Sequence, residues 1–387
     1  MRSSILFTSA LAALAQTVAA VTGAAEGFAK GVTGGGSATP VYPKTTAELV
    51  SYLGTPRPAS SCSTALLTSP APRAPPPRRL RALGHRLGLP DLLNKNAWCD
   101  NYQPNAPKVS VTYDKAGILG ITVKSNKSLI GVGNKGIIKG KGLRMVSGVS
   151  NIIIQNVHIT TLNPKYVWGG DAITLDNTDL IWIDHVTTSL IGRQHLVLGN
   201  NASNRVTVSN SKFDGQTSWS ATCDGYHYWG LYFTGSNDTS TPILTAPALL
   251  DDHLQEQLHL PHVRPLPKVA GNTLLHAVNN YWYDSTGHNF ELDSGAKVLA
   301  EGNIFQNIKT PPVRRCRQAL HPASASAGSA CTQYLGRACQ VNGFGSSGSF
   351  TGTDTSFLSY FAGKNIASAT DYNTAKNVIN TAGFGTI

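Results

Sequence analysis

After its first twenty residues, this chain has no apolar run long enough to cross a bilayer, which excludes a spanning helix further along. No Cys/His spacing matches a zinc site, and Asp176 and Asp179 form no calcium loop of the EF type. The tight set of paired aspartates that a glycoside hydrolase of this size needs is missing as well. No long helical period separates the apolar runs, and few tight Asn/Gly turns join them as hairpins, which argues against an antiparallel sandwich. No metal and no cofactor are expected.

What the chain does have is repetition. Asn151-Ile-Ile-Ile-Gln-Asn156, Asp179-Leu-Ile-Trp-Ile-Asp-His185 and Asn204-Arg-Val-Thr-Val-Ser-Asn210 are β-branched runs closed by a polar turn residue. Leu275-His-Ala-Val-Asn-Asn280 and Val298-Leu-Ala-Glu-Gly-Asn303 repeat the pattern. The first copies lie one solenoid coil apart, because each unit buries its apolar face only against a neighbouring unit. Asn after a strand tolerates the left-handed turn conformation, and its amide can bond to the next one along the axis. These features predict an all-β, single-domain, right-handed parallel β-helix.

Residues 1–20 read as a secretory signal: Arg2 precedes an apolar stretch ending in Val18-Ala-Ala20. Residues 21–387 are then the mature solenoid, and secretion makes disulfides available to Cys62, Cys99, Cys223, Cys316, Cys331 and Cys339. Cys331 and Cys339 are spaced for a small loop. Sequons at Asn126, Asn201 and Asn237 are candidate glycan sites.

The net charge of +11 does not amount to a nucleic-acid footprint. Ten arginines and four acids in residues 55–93, 242–267 and 310–330 contribute +6 of it. These windows break the repeat and look like text translated out of frame. Read from the second base of the codons allowed for Gln255–Leu266, that stretch becomes K-N-N-Y-I-Y-H-T-S-G-R-S, restoring a strand and an Asn turn missing from the repeat there. No nucleic-acid or membrane partner is expected, and the protein is expected to act as a monomer.

Long motifs carry more. Lys165-Tyr-Val-Trp-Gly-Gly-Asp171, Trp182-Ile-Asp-His185, Gly192-Arg-Gln-His195 and Ala221-Thr-Cys-Asp-Gly-Tyr-His-Tyr-Trp229 join Ala24–Gly36 as extended matches. On these motifs the chain resembles the fungal pectin lyases of polysaccharide lyase family 1. The resemblance implies a parallel β-helix that cleaves methyl-esterified galacturonan by β-elimination without a metal. It also implies a catalytic group at Asp171, Arg193 and Lys268, with a further Arg in Gly-Arg-Ser-Pro-Lys. Here that Arg has no clean counterpart: Arg264 stands one place too far from Lys268, and Pro265 occupies the aligned codon. An aromatic cleft is implied at Trp98, Trp168, Tyr226, Tyr228, Trp229 and Tyr232.

The chemistry suits these residue types. Elimination removes the proton on C5 and builds enolate charge on the ester, so fixed cations such as Arg193 and Lys268 are the largest available aid. A methyl ester is already neutral and needs no calcium. Asp171 is expected to hold Arg193 by a forked, bidentate bond rather than to act as base. Asp184 and His185 are expected to be structural turn residues. The expected activity is that of a secreted pectin lyase on highly methyl-esterified pectin. The alternatives are an inactive pectin-binding solenoid or pseudogene product, and a calcium-dependent pectate lyase.

Overall fold

A computed structural model describes residues 20–56, 112–166, 168–219, 227, 230–235, 267–284, 289–308, 318–348 and 352–387. It also gives the backbone alone for the strand segments at 59–63, 67–68, 79–83, 87–89, 108–110, 242–245, 249–251 and 313–314. Residues 1–19 of the expected signal lie outside the described residues, as do Cys99, Cys223 and Cys316.

Most of the strands stack in parallel along three faces, one rung per coil. On the first face Ile173, Leu196 and Leu231 are successive Cα partners, and Val269 follows Phe233. On the second face Ile152, Ile181 and Val206 are partners, and further along Leu275 pairs with Val298. These are the runs that the repeat marked, in the register it implied. The strands Leu143–Gln155 and Ile173–Asp184 pass from the first face into the second, with a register shift between Val146 and Val149. A third face carries His158–Leu162, Thr187–Ile191, Lys212–Asp214, Tyr281–Tyr283 and Ile304–Gln306.

Alternation along each strand builds the core, because successive side chains point to opposite sides. Leu143, Ile173, Leu196 and Leu231 form one inward column, and Ile152, Ile181 and Val206 form another, all fully buried. Each such side chain contributes about 1.5–3 kcal/mol by leaving water. The outward positions between them, Thr174, Tyr232, Lys268 and Glu291, stay half-exposed.

Corners recur at fixed register. Asn156, His185, Asn210 and Asn279 all take positive φ, between 44° and 56°, at the turn after the second face. Among residues with a side chain Asn tolerates the left-handed conformation well, and here its amide closes the turn: Asn156 Nδ2 donates to the carbonyls of Gly131 and Gly133. Side-chain amides also stack along the axis, Asn280 Nδ2 donating to Asn303 Oδ1 and Asn303 Nδ2 to Asn342 Oδ1, at 2.8 and 2.9 Å.

One end of the stack is closed by the helix Thr46–Gly54. Thr45 Oγ1 accepts from Glu48 N while Glu48 Oε2 accepts from Lys44 N, a variant of the capping box, and Leu49 and Leu53 are fully buried beneath it. The second face is covered by the N-terminal arm, with Ala25 and Ala29 on Ile153 and Trp182, and by the C-terminal segment. Cys331 and Cys339 form the small disulfide loop that their spacing suggested, with Cα atoms 5.6 Å apart. Both cysteines are buried, packed with Phe28, Leu320, Phe357 and Phe361.

The irregular windows have strands of their own. Pro242–Thr245 lies between Val206–Val208 and His276–Val278, supplying a rung inside the second irregular window. Arg79–Leu83 pairs antiparallel with Leu87–Leu89 and with Lys108–Ser110. Within residues 318–330, Ala319–Leu320 joins Val298–Leu299, and Ser324 Oγ caps the short helix Ala325–Gly328.

Candidate active site

The site is assembled where two stacked turns enter the first face. Gly192 N donates to Leu162 O, Arg193 N to Gly170 O and Ala172 N to Gln194 O, so the Gly-Gly-Asp and Gly-Arg-Gln-His segments lie directly over one another. That stacking needs two glycines. Gly170 has φ +121°, and a Cβ there would lie 2.0 Å from Gly117 O; a Cβ on Gly192 would lie 2.5 Å from Asn163 O.

Asp171 and Arg193 meet as expected but not as a fork. Arg193 Nη1 lies 3.7 Å from Asp171 Oδ2, while Asp171 Oδ1 accepts from Gln194 N at 3.1 Å. One carboxylate oxygen is spent on the backbone, so only the other is left for the guanidinium. Burial pushes the Asp171 carboxyl above its usual range, partly offset by Arg193 and the Gln194 N–H. The Arg193 side chain is 53% exposed, so its charge faces solvent rather than the core.

Behind Arg193 stands a pair of histidines. His227 Nε2 bonds the Arg193 carbonyl oxygen at 2.5 Å, and its ring packs edge-on against His195, with 4.6 Å between centroids. His195 is buried, bonds Thr188 Oγ1 through Nδ1, and is held well below the usual histidine range by burial and by His227. It is therefore neutral at ordinary pH and supports the loop rather than carrying charge.

Lys268 falls on the same outward column, one rung beyond Tyr232 and next to Glu291. Rungs are about 4.8 Å apart, so its backbone stands roughly 10 Å from that of Val197. Its ammonium is held by Glu291 Oε1 at 2.7 Å and Asp293 Oδ2 at 2.9 Å. The structure thus brings Asp171 to Arg193 and gives Lys268 two carboxylates that no motif pointed to. Arg264, Trp98, Tyr226, Tyr228 and Trp229 lie outside the described residues.

Trp168 requires a correction. It is only 6% exposed, stacked on Tyr166 at 4.5 Å and met edge-on by Tyr113 at 4.9 Å, so it fills the base of the turn instead of offering a platform for sugars. Trp219, which the sequence did not single out, is 39% exposed and has the Lys165 ammonium 5.5 Å from its ring centroid. Asp184 is a structural turn residue. Burial alone would raise its carboxyl, but bonds from His185, Ser209 and Gln155 hold it below the usual range. Among the described residues no His/Cys/Asp/Glu group is arranged to hold a metal ion.

Comparison with known proteins bears directly on this geometry. A family model described as pectate lyase matches residues 103–330. The chain is 60% identical over 386 residues to pectin lyase B of Emericella nidulans, covering 98% of each. It is 59% identical over 376 residues to a probable pectin lyase A of Aspergillus fumigatus, covering 95% of each. This chain belongs to the pectate lyase family. Among solved structures, a pectate lyase of a Bacillus species with bound trigalacturonate shares the fold at TM-score 0.58 and 18% identity, covering 94% of this chain and 99% of the other. A pectate lyase from Xanthomonas campestris gives 0.53 and 17%, with 94% and 98% covered. For this family member, the outward first face carrying Arg193, Tyr232 and Lys268 is the candidate active site.

Proposed function

We propose that the protein is a pectin lyase, cleaving α-1,4-linked, methyl-esterified galacturonan by β-elimination to leave a C4–C5 double bond at the new non-reducing end. The observation that carries this reading is the half-exposed Arg193 guanidinium, fixed by stacked turns beside a partly buried Asp171, in a chain so close to named pectin lyases.

The reaction needs a base for the C5 proton, stabilisation of the enolate that forms on the ester, and departure of the C4 oxygen. Arg193 is the fixed cation for the enolate, worth most where water is partly excluded. Asp171 holds Arg193 by charge. With one oxygen committed to the Gln194 N–H, it fixes the guanidinium without the rigid fork that would hide it. The resemblance assigns the base to an arginine, for which this chain offers Arg264. A guanidinium, with pKa above about 12, serves as base only beside other cations and favours alkaline conditions.

Elimination on a neutral ester asks for no divalent ion, and carboxylates described on this face have partners: Asp171 has Arg193, Asp176 has Asn201, and Glu291 and Asp293 have Lys268. The protein is secreted in this reading, acts as a monomer, and takes highly esterified pectin. The test is to incubate the full chain with highly methyl-esterified pectin in the presence of a strong chelator. Unsaturated products, seen by their ultraviolet absorbance, are expected. Saturated products, or a rate abolished by the chelator, would overturn the reading.

A further inference from the structure

We propose that a cavity at the corner between the first and second faces is a second carbohydrate site, holding a free galacturonate residue of the polymer away from the catalytic group. The identity of the sugar rests on the lyase reading above.

The cavity has a volume of about 370 Å³ and is walled by three parts of the chain. The solenoid corner contributes Asp179, Asn204 and Arg205, the N-terminal arm Phe28, and the C-terminal segment the turn Gly363-Lys364-Asn365. Small-ligand sites begin at about 300 Å³, so one sugar ring is a guest of suitable size. Asp179 belongs to the coil of Asp171 and Arg205 to that of Arg193. The cavity is therefore level with the candidate active site and one corner away from it.

The corner accounts for the backbone of Arg205 but not for its side chain. Asn126, Asn151, Leu180 and Arg205 each stand one residue before the register partners Lys127, Ile152, Ile181 and Val206, and all have φ between 47° and 60°. The two asparagines use this position for an amide ladder, Asn151 Nδ2 donating to Asn126 Oδ1 at 2.8 Å. Leu180 packs on Ala25, Ala29, Ile153 and Trp182. Arg205 does neither. Its side chain is 50% exposed, and its Nε and Nη2 donate to the two oxygens of Asp179, which leaves its other N–H groups for the cavity.

Lys364 is presented from the opposite wall by an anchored turn. Lys364 N donates to Phe361 O, the Phe361 ring is fully buried, and Ser368 N donates to Glu26 Oε2 on the arm. Among the described residues, neither the Lys364 ammonium nor the Asn365 side-chain amide has a partner. Two cations thus line one cavity with a single carboxylate, Asp179, and an incoming anion relieves their repulsion. Arg205 and Lys364 suit the carboxylate of a uronate, while Asp179 and the Asn204 and Asn365 amides can accept from its hydroxyls. A bare inorganic anion makes no use of those acceptors. A methyl ester gives up the charge that the two cations attract. The site therefore takes unesterified residues of the polymer.

The test is calorimetric titration of trigalacturonate into the full chain carrying Arg193→Ala, which weakens binding at the first face. Adding Lys364→Gln should lower the affinity at least about fivefold, and Lys364→Glu further still. Arg205→Gln should act in the same direction, and the fully methyl-esterified trimer should bind with no dependence on Lys364. An affinity for trigalacturonate unchanged by Lys364→Glu overturns the inference. So does inorganic phosphate displacing the trimer at equal concentration, which would mark a simple anion site. If Arg205→Gln, which also loses the Asp179 fork, fails to fold, the Lys364 variants decide. In an otherwise wild-type chain, Lys364→Glu should turn over fully esterified pectin within about twofold of wild type, as expected for a separate site. If wild type releases no unsaturated product, the lyase reading fails, and the binding site is still judged by its dependence on Lys364.

Discussion

Arg193 and Arg337 both face a carboxylate on the outside of the same solenoid, but the two faces treat the pair in opposite ways. On the open first face, Arg193 makes a single 3.7 Å contact with Asp171 and keeps its side chain 53% exposed. On the covered second face, Arg337 makes a true fork, Nη1 to Glu301 Oε2 and Nη2 to Glu301 Oε1, both at 2.8 Å. His276 Nε2 adds a bond to Oε1 at 2.6 Å and Gln340 N one to Oε2 at 2.9 Å. Burial would raise the Glu301 carboxyl, but these bonds bring it down to about 2. A satisfied, buried carboxylate fixes the C-terminal segment onto the coil. A loosely held, exposed guanidinium is available to something that arrives from solution.

The contrast is broken most severely at Glu301. Replacing it with Ala leaves His276 buried and Arg337 half-buried without their shared carboxylate, and a loss of about 3–5 kcal/mol of stability is expected, read by chemical unfolding, with activity per folded molecule kept. Arg193→Ala should do the reverse. We expect a fall in kcat of at least about a hundredfold, roughly 2.7 kcal/mol or more in the transition state, with unfolding free energy changed by less than about 1 kcal/mol. If Arg193→Ala instead unfolds the protein, the open-face pair is structural and the comparison collapses.

A third test uses pH. Glu301 has its folded-state pKa depressed from 4.5 to about 2, so its contribution is full above 4.5 and is lost as pH falls from there towards 2. That interval corresponds to about 3 kcal/mol at about 1.4 kcal/mol per pH unit. Asp171 has the opposite sign: its carboxyl is raised by burial, so it ionises late, and its hold on Arg193 strengthens as pH rises through that raised value. Acid should therefore weaken activity through Asp171 before it unfolds the chain through Glu301. Activity and unfolding profiles that coincide would contradict this.

The smallest effects belong to packing. Ile181→Val on the inward column of the second face should cost about 0.5–1.5 kcal/mol, measured by the shift in denaturation midpoint, and leave the catalytic constants alone.

Much of the architecture was legible because a solenoid writes its register into the chain. The runs at Asn151–Asn156, Asp179–His185 and Asn204–Asn210 became successive rungs, since apolar residues at that spacing bury against their own copies. Their closing residues Asn156, His185 and Asn210 took the left-handed corners. Asp171 and Arg193 were legible from long motifs and from a coil-length separation. The bond between them was not, since nothing in the composition said that Gln194 N would claim one oxygen. Trp168 misled because its burial depends on Tyr113, which is far away in sequence, and on Tyr166 folding back over it. Glu291 and Asp293 were invisible for a related reason: they meet Lys268 only across a rung, through a separation of more than twenty residues that no short pattern records. Rung 242–245 was not read from the sequence because its short Ile243-Leu244-Thr245 run lacks the Asn closure of the other copies, yet it pairs on both sides.

The measurement that goes straight to the centre is a paired assay of wild type and Arg193→Lys on fully methyl-esterified polygalacturonate with chelator present. Unsaturated product is followed by ultraviolet absorbance, and thermal unfolding is recorded on the same samples. The account predicts chelator-resistant product from wild type, a rate at least about tenfold lower in the variant because a point charge replaces the planar guanidinium, and unchanged unfolding. Equal rates in the two proteins, or no unsaturated product from a well-folded wild type, would contradict it.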